Sequence, residues 1–147
     1  VKGGFMSDNF HYEETIKSEK IYEGKIIKVK VDTVELPNRS YAKREIVIHG
    51  RGVAIVAIND ENKLYLVKQF RKPLNKVIYE IPAGIVEPNE SIQEAAIREA
   101  QEELDDDEYV EVELVSIQDA LDMIDSFEIT DAKSIIGILY AARKLGI

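Results

Sequence analysis

Residues 53–58 read Val-Ala-Ile-Val-Ala-Ile, six apolar side chains in a row between Gly50-Arg51-Gly52 and Asn59-Asp60-Glu61-Asn62. Such a run has no polar face to offer water, so the expectation is a strand buried on both faces. Strands are expected before it and helices mostly after it. From Thr15 the apolar residues alternate: Ile27, Val29 and Val31 are separated by Lys28 and Lys30, and one face is apolar. The phase then slips to Val34 and Leu36, which predicts a bulge or strong twist near Asp32 and Thr33. Pro37-Asn38-Arg39-Ser40 reads as a turn and residues 44–48 as the returning strand. Asn59 to Asn62 should turn the chain into a strand over residues 64–70, and a short strand over 78–81 should end at Pro82.

Three helices and one further strand are expected beyond Pro82. Ser91 and Glu94 have the spacing of a capping box at the head of a helix over residues 91–104. Ser116 and Asp119 open a helix over 116–127, with Ile117, Ala120, Leu121 and Ile124 on one face. A third, over 131–145, should bury Ile135, Ile138, Leu139 and Ala142 and stop at Gly146. The strand over 109–115 lies between the first two.

Composition narrows the chemistry. The chain has 147 residues, 45% hydrophobic and 32% charged, as expected of one globular domain with at most a short appendage. It has no cysteine, which excludes disulfides, thiolate zinc sites and thiol nucleophiles and fits a reducing cytoplasmic compartment. Its two histidines, His11 and His49, leave little room for imidazole metal clusters or a Ser-His-Asp triad. With a net charge of −9 it is poorly suited to a nucleic-acid backbone or an anionic membrane. The longest largely apolar run, residues 135–142, is too short to span a bilayer. Val1 to Phe5 resemble a cloning remnant before Met6, and no signal peptide is expected. Carboxylates remain as the chemical groups, and carboxylates hold hard divalent cations.

They concentrate on one predicted helix. Glu99 and Glu103 are four residues apart, with Glu102 three from Glu99. Like charges at these spacings cost roughly 0.2–0.5 kcal/mol per close pair, and only Arg98, flanked by Glu94 and Glu102, offsets them. A solvated acidic face is the plain alternative. Yet Ile92 and Ala96 align below Glu99 and Glu103, which places the glutamates at the edge of the buried face, where a bare carboxylate is costly without a cation. Oxygen-only donors select Mg²⁺ or Mn²⁺ over zinc, and Mg²⁺ commonly brings a phosphate with it.

Gly84, Glu90, Arg98, Glu99, Glu102 and Glu103, in the stretch GIVEPNESIQEAAIREAQEE, resemble the Nudix hydrolase signature Gly-x5-Glu-x7-Arg-Glu-aliphatic-x-Glu-Glu. The resemblance implies an α+β fold, a Nudix-type α/β/α sandwich with a mixed sheet. It implies that Glu99, Glu103 and Glu102 bind Mg²⁺ along a substrate diphosphate, that Arg98 orients the carboxylates, and that Glu90 braces the loop. Residues 43–47 (KREIV), 67–71 (VKQFR), 80–84 (EIPAG) and 129–134 (ITDAKS) further resemble the ADP-ribose pyrophosphatase branch. There the carbonyl at Ala83 is a metal ligand, and Arg44 and Glu45 would contact the nucleotide. Arg71 would contact the phosphates or distal ribose. Residues 15–49 would form a small antiparallel sheet that pairs across a homodimer, after a tail over 1–14, with the catalytic domain over 50–147. Arg44 and Glu45 could equally be ordinary cross-strand charges, and Arg71 part of a solvated turn. His49 is read as structural or exposed, Tyr22 as a core or surface residue before an adenine stacker, and residues 105–108 (DDDE) as a solvated turn before a second metal site.

The sequence departs from the branch at one place. After Leu104 the signature's glycine and aliphatic residue are replaced by Asp105 and Asp106, and about forty residues of sheet and catalytic loop are expected there but absent. Because both flanks match, an omitted internal segment is expected before a true deletion. A Cα separation well beyond 3.80 Å between Leu104 and Asp105 would distinguish the two. The expected activity is Mg²⁺-dependent hydrolysis of ADP-ribose to AMP and ribose 5-phosphate. The alternatives are another nucleoside diphosphate sugar or dinucleotide as substrate, or an inactive Nudix-fold binding module.

Overall fold

The computed structural model describes residues 12–103 and 110–147, and only the backbone of Glu103. The suspected cloning remnant and Met6, His11, the junction Leu104–Asp105 and the acidic stretch 105–108 lie outside the described residues. The chain forms two compact units, up to Gly50 and from Arg51 onward.

In the first unit β1 (Glu14–Glu23), β2 (Ile27–Glu35) and β3 (Tyr41–His49) form an antiparallel sheet in that order. The predicted turn holds: Leu36 N–H donates to the Ser40 carbonyl at 2.8 Å, Asn38 Oδ1 accepts from Ser40 N–H at 3.0 Å, and Arg39 adopts φ 65°. The expected bulge in β2 does not occur. The β2–β3 ladder runs unbroken from Ile27↔His49 to Glu35↔Tyr41, and the register shifts fall on β1, between Thr15 and Lys17 and between Lys20 and Tyr22. The change of apolar phase has another cause: even-numbered Asp32 and Val34 are the buried residues. Asp32 is tolerated there because Lys30 Nζ, at 2.7 Å, and Ser18 Oγ, at 2.6 Å, donate to its carboxylate.

The second unit contains β4 (Gly52–Ala54), β5 (Lys63–Arg71), β6 (Lys76–Glu80), β7 (Ala83–Ile85), α1 (Ile92–Glu103), β8 (Glu111–Ser116), α2 (Ile117–Asp125) and α3 (Ala132–Leu145). Its ladders are β6-β5-β8 and β4-β7. The α+β class stands. All ladders among the described residues are antiparallel, so the parallel pairing of a mixed sheet is not among them.

Residues 53–58 are not one doubly buried strand. Only Val53 and Ala54 belong to β4, Ala54 is exposed, and Ile55 to Ile58 are half-buried with a single bridge, Ile58↔Leu64. The reason lies on the partner strand. Beyond Ala54↔Ala83 the next pair brings Ile55 opposite Pro82; Ile55 N–H donates to the Pro82 carbonyl at 2.8 Å, but proline has no N–H to return. The following donor, Ile81 N–H, is taken at 2.9 Å by Ser134 Oγ of α3. The ladder stops there.

The helices start where their caps predict. Ser91 N–H donates to Glu94 Oε2 at 2.8 Å and Glu94 N–H to Ser91 Oγ at 3.2 Å, a closed capping box. Ser116 caps α2 and Asp131 caps α3, which ends at Gly146 with φ 76°. The buried face of α3 is Ser134, Ile138, Ala141 and Ala142; Leu139, expected inside, is half-exposed. Ser134, bonded to both Asp131 and Ile81, turns that face inward. At Gly137 an added Cβ would lie 2.8 Å from Ile81 Cδ1 and 2.9 Å from Val56 Cγ2, so α3 packs at glycine distance. Leu64 and Leu66 of β5, Ile81, Ile117, Ala120, Ile129 and Ile138 form the core, with Val56 and Ile58 packed at its edge. Each fully buried leucine contributes about 1.5–3 kcal/mol.

Candidate active site

The site begins where β7 passes α1. Gly84 pairs with Val53 in the β4–β7 ladder, and the Glu99 carboxylate lies directly on its Cα face. An added Cβ there would stand 1.7 Å from Glu99 Cδ. The loop from Val86 to Ser91 returns the chain to the helix. Val86 N–H donates to the Arg51 carbonyl at 2.8 Å, Asn89 takes φ 69°, and Glu87 N–H donates to Glu90 Oε2 at 2.9 Å.

Arg98 gathers the carboxylates. Its Nε donates to Glu90 Oε1 at 2.9 Å and its Nη2 to Glu90 Oε2 at 3.0 Å, a bidentate pair. Nη1 donates to Glu99 Oε1 and Glu102 Oε2, each at 2.9 Å, and Nη2 reaches the Ile85 carbonyl at 3.0 Å. One guanidinium thus ties loop, strand and helix together, and its fork supplies the donors. The hydrogen bond from Arg98 and the one from Glu87 N–H hold the Glu90 carboxyl below its ordinary value, and Glu90 foremost raises Arg98. Glu94, expected to flank Arg98, serves the capping box instead.

Arg98 uses one oxygen each of Glu99 and Glu102. Among the described residues Glu99 Oε2 makes no hydrogen bond, although the side chain is only 13% exposed. Glu103 lies four residues on along the same helix face, with its side chain outside the described residues. No group of three His, Asp or Glu side chains capable of holding a metal occurs among the described residues. The donor chemistry nevertheless fits a hard divalent cation: a nearly buried carboxylate with one oxygen that makes no hydrogen bond among the described residues, in a chain that has no thiolate to offer. A groove of about 470 Å³ lies on the other flank of the motif, lined by Glu87, Glu90, Glu94, Ile97, Arg98 and Gln101, and does not include Glu99.

A second charged cluster was not expected. Arg71, at the end of β5, donates through Nε to Glu80 Oε2 at the end of β6. Glu80 is buried, and its Oε1 accepts from Lys133 Nζ. Lys133 donates at 3.0 Å to Asp131, which accepts from Ser134 N–H at 2.9 Å. Burial would raise the Asp131 carboxyl, but the bonds from Ser134 and Lys133 outweigh it and hold it below its ordinary value. The sequence signals for these roles were thin: Glu80 occupies a buried place in a short strand, where a carboxylate needs partners. Gln69 Oε1, on the same face of β5 as Arg71, is buried without a partner among the described residues.

Arg44 and Glu45 lie on β3 in the first unit. Arg44 donates from Nε to Glu13 Oε2 at 2.9 Å and from Nη2 to Glu13 Oε1, while Glu45 is exposed opposite Val31. Tyr22 is exposed, and His49 Nδ1 lies 2.6 Å from the Gly50 carbonyl. Among the described residues no helix is long and apolar enough to cross a membrane.

Residues 48–144 match the NUDIX domain, and residues 13–47 match the nucleoside diphosphate sugar hydrolase N-terminal domain. The chain is 38% identical to an ADP-ribose pyrophosphatase of Bacillus subtilis, over 90% of this chain and 94% of the relative. It is 36% identical to a methanol dehydrogenase activator of Bacillus methanolicus, over 87% and 91%. The first alignment spans 173 positions but draws on 90% of 147 residues, so about forty positions of that relative have no counterpart here. The fold is similar to the crystal structure of an ADP compounds hydrolase, with TM-score 0.77 and 16% identity over 90% of this chain and 93% of that one. With Glu90, Glu99 and Glu102 of the signature gathered on Arg98 and a family match across two-thirds of its length, the chain belongs to the Nudix hydrolase family.

Proposed function

We propose that the protein is an ADP-ribose pyrophosphatase that requires Mg²⁺, with Mn²⁺ as a substitute, and yields AMP and ribose 5-phosphate. The observation that carries this reading is the Glu99 carboxylate, seated on Gly84 with one oxygen held by Arg98 and the other making no hydrogen bond among the described residues. The similarity to a B. subtilis ADP-ribose pyrophosphatase along 94% of that protein's length supports the substrate.

Glu99, Glu102, Glu103 and the Ala83 carbonyl would hold the cation. When bound, it neutralises diphosphate charge and lowers the pKa of a water molecule. The chain's own residues do the rest. Arg98 fixes Glu99 and Glu102, Glu90 fixes Arg98 from the preceding loop, and the capping box starts α1 so that Arg98, Glu99 and Glu102 project from it. Arg71 would meet the phosphates or distal ribose, while Arg44 and Glu45 would meet the nucleotide. Water oxygen bonds to one phosphorus, the bridging P–O bond breaks, and a carboxylate takes the proton.

The test is AMP release from ADP-ribose with Mg²⁺. Equal amounts of AMP and ribose 5-phosphate are expected, with loss of activity in EDTA and in the double variant Glu99→Gln, Glu103→Gln. Activity surviving in that variant refutes the metal assignment. The match of residues 13–47 to a nucleoside diphosphate sugar hydrolase domain favours a second reading, hydrolysis of other nucleoside diphosphate sugars, which a substrate panel decides.

The organisation proposed with it is a tail over 1–14, a dimerising sheet over 15–49, and a catalytic domain over 50–147 in a cytoplasmic homodimer. The native protein would carry a further internal segment between Leu104 and Asp105. Intact mass measurement should then exceed 16.7 kDa by several kilodaltons. A mass of 16.7 kDa would establish the deletion and favour the inactive binding module.

A further inference from the structure

Glu80 carries more cations than its charge needs. Its side chain is 4% exposed, yet both oxygens are engaged by cationic groups, Oε2 by Arg71 Nε and Oε1 by Lys133 Nζ. One well-placed partner would suffice to neutralise a buried carboxylate. The second leaves the charge of Arg71 less committed. Arg71 also meets Glu80 through Nε alone. Among the described residues neither of its Nη groups makes a hydrogen bond, and the side chain is 37% exposed. A guanidinium anchored at Nε and open at both Nη groups is prepared for a planar or tetrahedral anion, with little rotamer freedom left to lose.

The plain alternative is a structural clamp between β6 and α3. That clamp exists without Glu80: Ser134 Oγ accepts Ile81 N–H at 2.9 Å, and Asp131 holds Ser134. Glu80 and Lys133 add only a defined direction for Arg71. We propose that Glu80, itself held by Lys133, is a positioning residue that fixes the Arg71 guanidinium so that its Nη groups receive the diphosphate of the nucleotide substrate. The proposal rests on the pyrophosphatase reading above.

A double-mutant cycle in the full-length protein tests it, with kcat and KM for ADP-ribose measured in wild type, Glu80→Gln, Arg71→Ala and the double variant. Because hydrogen bonds to charged groups are the strong ones, Glu80→Gln should raise KM about tenfold or more and leave kcat nearly unchanged. In the Arg71→Ala background the same change should move KM less than about twofold. An equal rise in KM with and without Arg71, or no rise in wild type, overturns the proposal. A second measurement reads the wild type and needs no variant of Glu80. Arginine side-chain ¹⁵N spectra of the wild type are recorded with ADP-ribose whose bridging diphosphate oxygen is replaced by methylene, Arg71 being assigned with Arg71→Lys. The Arg71 Nη resonances should shift and sharpen while Nε stays in place. Loss of the protected Nε–H on binding, or no change at Arg71, overturns the proposal. Absence of AMP release by the wild type would instead refute the activity reading, and the analogue spectra would still decide the role of Glu80.

Discussion

Gly84 and Glu99 occupy each other's space. A Cβ built on Gly84 would lie 1.7 Å from Glu99 Cδ and 1.9 and 2.0 Å from its two oxygens. The glycine is required by the carboxylate, since its backbone is not among those with positive φ. The variant Gly84→Ala must expel Glu99 from this position. Displacing Glu99 takes away a proposed cation ligand, which should cost at least the loss of about 10–100-fold that follows removal of a group that merely orients ligands. We expect that loss in kcat/KM, with a raised Mg²⁺ requirement and a nearly unchanged thermal midpoint, because the end of a flexible side chain moves and the core does not.

Arg98 serves Glu90, Glu99, Glu102 and the Ile85 carbonyl at once. Lysine keeps the charge but not the fork. Arg98→Lys should therefore lower activity about 10–100-fold, with the protein still folded by circular dichroism. An activity within twofold of wild type would show that charge alone suffices.

The same pairing predicts a pH dependence. The carboxyl of Glu90 is held below its reference value of 4.5. A depressed folded-state pKa contributes stability that is present above the unfolded value and lost as pH falls through the folded one. Urea midpoints of wild type and Glu90→Gln should differ most near neutral pH and converge on acidification below the usual carboxylate range. A gap that widens in acid would reverse the assignment.

Ser134 is fully buried and accepts Ile81 N–H. Ser134→Ala leaves that donor without an acceptor, at a cost of about 1–3 kcal/mol. Removing the cap with Asp131→Ala costs about 0.5–2 kcal/mol. Since Asp131 also holds Ser134, the double variant should lose less than the two single losses combined, as read from urea unfolding.

Divalent metal should stabilise the folded protein in proportion to its differential binding, about 2.7 kcal/mol at a hundredfold excess over Kd. Differential scanning fluorimetry should show the midpoint rising with Mg²⁺ in wild type and not in Glu99→Gln. Equal rises in both would move the metal away from Glu99.

Much of this was legible without coordinates because it is local. Capping boxes act within one turn, so Ser91 and Ser116 mark their helices wherever those helices pack. The spacing that puts Glu99 and Glu103 on one face is a property of any α-helix, and the absence of cysteine excludes thiolate donors before any fold is known. What the tertiary structure decided depends on partners distant in the chain. Residues 53–58 read as a doubly buried strand, but their ladder ends at Pro82, which has no N–H, and Ile81 donates to a serine 53 residues away. The same bond turned Leu139 outward on α3. Glu80 lies in a buried place that its own neighbourhood cannot justify, and Arg71 and Lys133 make it tolerable. Periodicity reports which side chains avoid water. It does not report which distant group will satisfy a buried N–H or charge, and at Pro82 and Glu80 that decided the structure.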